Sequence, residues 1–126
     1  MRIIPTKVHG VLDYLMGIIL IAAPWLLKFN RDGAETWVPV ALGVGVILYS
    51  LFTDYELSVS RRIPMKTHLT LDVISGVILA LSPWIFGFSE HVYLPHLILG
   101  ILEVGAGLMT ETSSKQGGYR GPITQH

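Results

Sequence analysis

Residues 7–17 read KVHGVLDYLMG and residues 66–76 read KTHLTLDVISG, two copies of one K-x-H-x-x-x-D-x-x-x-G frame set 59 positions apart. Imidazole and carboxylate together are the groups of proton transfer, cation binding and divalent-metal ligation, and here they stand inside the most apolar stretches of the chain. On a helix His9, Asp13 and Gly17 share one face, as do His68, Asp72 and Gly76. An Asp at the centre of a membrane helix costs about 2.5–3.5 kcal/mol, so such faces are expected to point at protein and to pair. Two of them related by an axis bring two imidazoles and two carboxylates together. Four readings stay open for that group. It can be a hydrogen-bonded polar cluster that locks helices in register, a proton or cation path, a His2Asp2 metal site, or a substrate-binding or catalytic site. His and carboxylate suit zinc, although no recognised metal signature is spelled out. Lys7 and Lys66, two residues before the histidines, read as anchors snorkelling to the headgroups.

Glu103 is the second candidate, because its repeat counterpart is Val46 and no other acid lies so near the middle of a span without a matching one. It shares a helical stripe with His96, Gly100 and Gly107, and small residues at that spacing let helices approach closely. The expectation is a neutral or paired carboxyl at a helix contact, with Tyr14, Tyr49, Ser75 or a neighbouring subunit as its partner. A proton relay or ligand role is the alternative.

The elements that must position these groups follow from hydropathy. With 51% hydrophobic and 14% charged residues, against about 25% charged in an ordinary soluble domain, the chain has too little polar surface to face water all round. Four apolar stretches, roughly 8–29, 37–53, 67–88 and 93–110, each approach the ~20 residues that a membrane-crossing helix needs. The fold class is therefore all-α: a polytopic membrane protein of four transmembrane helices, arranged as two tandem hairpins with pseudo-two-fold symmetry. Pro5, Pro39, Pro64 and Pro95 mark helix starts. The short turn NRDGAE, in which Gly33 can take positive φ, closes one hairpin and SEH closes the other. Residues 1–111 make one domain, with repeat 1 over 4–55 and repeat 2 over 63–111, followed by a polar tail at 112–126. A signal peptide is the competing reading of the first span, but the third span repeats its pattern in mid-chain, so the first is expected to be retained.

Arg2, Lys7, Arg61, Arg62, Lys66, Lys115 and Arg120 flank one membrane face, against Lys28 and Arg31 at the other, which predicts both termini to be cytoplasmic. Trp25, Trp37 and Trp84 are expected at the opposite headgroup level. Zero net charge gives no reason to expect nucleic acid, and the absence of cysteine removes thiolate chemistry. No cofactor motif and no nucleophile beside a base is spelled out, so an enzyme is disfavoured. The expected partners are the lipid bilayer and a second copy of the chain or another membrane protein.

Ile4, Pro5, Lys7, His9, Leu12, Asp13, Gly17, Ile19, Leu20, Pro24, Trp25 and Phe29 all recur at the 59-residue offset. Leu42, Gly43, Leu51 and Thr53 recur at an offset of 57. With Ser82-Pro83-Trp84 in the second copy and Ala23-Pro24-Trp25 in the first, the chain resembles the SPW-repeat family of small bacterial and archaeal membrane proteins. The resemblance implies a two-helix repeat and a prokaryotic cell-membrane location, and no activity. The serine is absent from the first copy, so its role is not shared by both halves. Pro24 and Pro83 fall inside helices, where each frees a carbonyl one turn earlier that a neighbouring group must satisfy.

Overall fold

The computed structural model describes residues 2–53 and 62–112; the expected polar tail beyond Thr112 and most of the central loop lie outside them. Four helices follow in order, α1 (Thr6–Leu26), α2 (Ala34–Leu51), α3 (Met65–Ile85) and α4 (Leu94–Met109). No strand accompanies them among the described residues beyond two isolated bridges, Ile4 with Thr110 and Thr53 with Ile63. Burial is inverted relative to a soluble bundle: His9, Thr36, Ser50, His68 and Asp72 are wholly buried, whereas Ile18, Leu26, Ile85 and Ile101 are more than half exposed. Water does not reward such a surface, but hydrocarbon does. The protein is a small multi-pass membrane protein.

Three helices have the length and hydropathy to cross a bilayer, and α4, with 16 residues, is shorter. At 1.5 Å per residue it rises about 24 Å. It stops before the expected end at residue 110 because Thr110 leaves the helix as extended chain to bridge Ile4.

Each hairpin is closed by backbone contact at glycine. A Cβ on Gly43 would lie 2.7 Å from the Gly17 carbonyl oxygen, and one on Gly76 would lie 2.7 Å from that of Gly100. The closing glycine of each opening frame thus sets the approach of α1 to α2 and of α3 to α4.

The helix ends refine two sequence expectations. Pro5 and Pro64 are the extended N-caps of α1 and α3, and Pro95 lies in the first turn of α4. Pro39, however, lies inside α2, which starts at Ala34. Its missing N–H orphans the Glu35 carbonyl one turn back, and His96 Nε2 on α4 donates to that oxygen at 2.9 Å. Gly33 does not supply the positive φ of its turn: it is the extended N-cap of α2, at φ −158°. The left-handed residues are instead Lys28 (φ 60°) and Gly87 (φ 76°), which occupy equivalent repeat positions just past α1 and α3.

Both sites have the left-handed residue and the 6→1 bond of a Schellman cap. Phe29 N–H donates to the Pro24 carbonyl at 2.9 Å and Phe88 N–H to that of Pro83 at 2.8 Å. The caps turn Phe29 and Phe88 inward, where both are buried and hold the His96 ring between them at centroid distances of 5.0 and 4.8 Å. The serine of the second copy has a local purpose. Pro83 cannot donate to the Leu79 carbonyl, and the buried Ser82 Oγ donates to that oxygen instead, at 2.7 Å; Ala23 has no hydroxyl to do this in the first copy. Trp25, Trp37 and Trp84 lie about half exposed near these same ends, with Trp25 against Trp37 and Trp84 against Tyr93.

Candidate functional site

His9, Asp13, His68 and Asp72 meet at the end of the bundle where α1 and α3 begin and α2 and α4 finish. Pro5 and Pro64 fix the start of each helix, and their carbonyls accept from the His9 and His68 backbone N–H groups at 3.0 Å. Each ring is thereby placed in the first turn and each carboxylate one turn further in. The closest bonds are crossed between the hairpins: His9 Nε2 to Asp72 Oδ2 and His68 Nε2 to Asp13 Oδ2, both 2.6 Å. Within one helix the same groups stand 3.1 Å apart for His9 and Asp13 and 3.2 Å for His68 and Asp72. The two imidazoles meet edge to face, 5.4 Å between centroids.

The outer ring nitrogens fix the tautomers. Thr110 Oγ1 spends its one hydrogen on the Ala106 carbonyl at 2.6 Å, and Thr53 Oγ1 spends its own on that of Tyr49 at 2.6 Å. Each hydroxyl can therefore only accept from the imidazole 2.7 Å away, His9 Nδ1 for Thr110 and His68 Nδ1 for Thr53. With both Nδ1 atoms protonated, the two short Nε2 to Oδ2 lines carry one proton each. Two histidines, two aspartates and those two protons sum to zero charge, which is what a group removed from water requires.

The cluster is asymmetric at one point. The Tyr49 hydroxyl donates to Asp72 Oδ1, and its ring packs edge-on against His68 at 4.9 Å. The counterpart of Tyr49 in the second repeat is Ala106, so Asp13 receives no tyrosine from the equivalent position. Tyr49 was among the partners expected for Glu103, but its hydroxyl is committed to Asp72.

Glu103, His96, Gly100 and Gly107 are the four buried residues of α4. Gly100 and Gly107 approach the α3 backbone at Gly76 and Leu69, so the stripe faces a helix. Glu103 itself is 2% exposed, yet neither carboxyl oxygen has a hydrogen-bond partner among the described residues. His96 does not help it, being two turns away along α4, or about 10 Å, and engaged with Glu35, Phe29 and Phe88. Its Nδ1 is buried and has no partner among the described residues.

A family model described as SPW repeat domain matches residues 7–110. The chain belongs to the SPW repeat domain family. No curated protein and no solved structure matches it. Within this SPW repeat, the Pro-Trp motif ends a helix and seats a phenylalanine, at the opposite end of the bundle from the His/Asp cluster.

Sequence reasoning missed Thr53 and Thr110 as parts of the cluster, although their recurrence in both repeats was a usable signal. It also missed His91, whose Nε2 donates to the Phe29 carbonyl at 3.0 Å and ties the second hairpin turn to the first. Nothing in the residue type of His91 or its place in the repeat announces that bond.

Proposed function

We propose that the protein is a structural, partner-binding component of a prokaryotic cell membrane, with both termini cytoplasmic, in which the His/Asp cluster is a polar clamp joining two helical hairpins. The crossed His9–Asp72 and His68–Asp13 bonds support this reading, because each couples one hairpin to the other and every ring nitrogen of the cluster is engaged. Polar bonds between membrane helices hold register. The partner is a second copy or another membrane protein lying against the apolar exterior.

A metal centre is the second reading, favoured by one observation. One ligand atom from each of His9, Asp13, His68 and Asp72 lies within 4.8 Å of all the others, and a divalent ion in place of the two shared protons leaves the cluster equally neutral. The two threonines then orient the rings as outer partners orient metal-bound histidines. A proton or cation path through Asp13, Asp72 and Glu103 has less support: a cavity borders Asp13 and Glu103, but further along the bundle the void beside Leu20, Leu79 and His96 has no room for a water molecule.

The metal content of purified protein separates the first two readings. The clamp predicts no stoichiometric metal, together with a loss of thermal stability in detergent on removal of either aspartate and no loss of ion flux. One divalent ion per chain, absent from a His9→Ala, His68→Ala variant, sinks the clamp in favour of the metal centre. Orientation is tested by cysteines placed at Gly33 and Gly117 in this cysteine-free chain. Only the cysteine at 33 should react with an impermeant reagent added to intact cells.

A further inference from the structure

The pseudo-symmetric bundle has two seams between its hairpins, and only one is filled. At the α2–α3 seam Tyr49 reaches across to Asp72 and His68. At the α1–α4 seam the equivalent residue is Ala106, and a cavity of about 560 Å³ opens between the helices. That volume lies within the 300–1,000 Å³ common for small-ligand sites. Its wall is aliphatic, with Leu12, Ile19, Leu102 and Met109 among the lining residues, and it contains two acids, Asp13 and Glu103, and no basic residue. Asp13 is already held by His68. Glu103 is not: it is 98% buried with both carboxyl oxygens unpaired among the described residues, an arrangement that native interiors avoid unless a further group completes it.

We propose that the α1–α4 seam binds a lipid-soluble amine, its ammonium head hydrogen-bonded to Glu103 and its apolar body lying along the cavity between α1 and α4. Charge selects the head: Asp13 is neutralised within the cluster, which leaves Glu103 as the acid of the wall that a cation compensates, and an ammonium offers the N–H donors that its two oxygens lack. Hydropathy selects the body. Leu12, Ile19 and Leu102 are each more than 40% exposed, so the cavity meets the acyl chains of the bilayer and the ligand enters sideways from lipid. The site stands apart from the clamp, since it uses none of the four cluster side chains as its free acceptor.

Hexylamine, hexanol and hexanoate, which share one alkyl body, test this by calorimetric titration of the full chain in lipid nanodiscs, with empty nanodiscs as the blank. Saturable binding of hexylamine is expected, at least tenfold tighter than hexanol and with no binding of hexanoate. Glu103→Gln, which keeps the side-chain shape, should weaken hexylamine at least tenfold. Ala106→Tyr, which places in this seam the residue that fills the other, should abolish binding while the circular dichroism and melting of the protein stay intact. Equal binding of hexylamine and hexanol overturns the proposal, as does amine binding unaffected in both variants. So does the absence of saturable binding, including the case in which a Gly105→Cys protein instead cross-links to a second copy through this seam.

Discussion

The two inter-hairpin seams start from the same repeat and end differently. At one, Tyr49 bonds Asp72 and covers His68; at the other, Ala106 and Gly105 leave a cavity bordered by Asp13 and Glu103. Helix spacing, the Gly–Gly contacts and the crossed His–Asp bonds are common to both halves, so the repeated residues build the scaffold. The residues that differ, Tyr49 against Ala106 and Val46 against Glu103, decide what the scaffold presents. In a duplicated bundle, function is therefore most profitably sought where the copies disagree.

The comparison predicts unequal aspartates. Asp72 is held by His9 and by the Tyr49 hydroxyl, and Asp13 by His68, at the edge of the open seam. Removing one partner of a buried ionic cluster leaves the other uncompensated, so Asp72→Ala should destabilise the protein by about 3 kcal/mol. Asp13→Ala should cost about 1 kcal/mol less, because one fewer buried donor is stranded. Equilibrium unfolding in mixed detergent micelles measures both, and equal losses would mean that the tyrosine contributes nothing to the difference.

A smaller effect of opposite sign is expected at the open seam. Glu103→Val installs the residue found at the same place in the first repeat and removes two unpaired buried oxygens. In detergent without added amine it should raise stability by about 1–2 kcal/mol. A loss on the same unfolding assay would show that Glu103 is satisfied by a second copy of the chain.

The smallest expected change concerns the helix ends. Lys28 holds the left-handed position that Gly87 holds in the other copy, and a side chain costs about 1 kcal/mol there. Lys28→Gly should recover about that much, whereas Gly87→Lys should lose it. Thermal melts of the two variants shifting in the same direction would break the equivalence of the two caps.

The sequence by itself determined the elements and the composition of the cluster. Apolar length set the four helices, and the His, Asp and Gly spacing placed three functional letters on one face of α1 and of α3, because a helical period is a local property readable from residue numbers. Duplication then implied that the two faces meet. Four things only the tertiary structure decided: that the His–Asp bonds cross between hairpins, that Thr53 and Thr110 fix the tautomers, that His96 satisfies the carbonyl orphaned by Pro39, and that one seam stays open beside an unpaired Glu103. Each depends on which side chain reaches across from another helix. That is set by differences of about an ångström in packing distance, fixed once glycines and caps have brought the backbones together, and no spacing along a single helix encodes it.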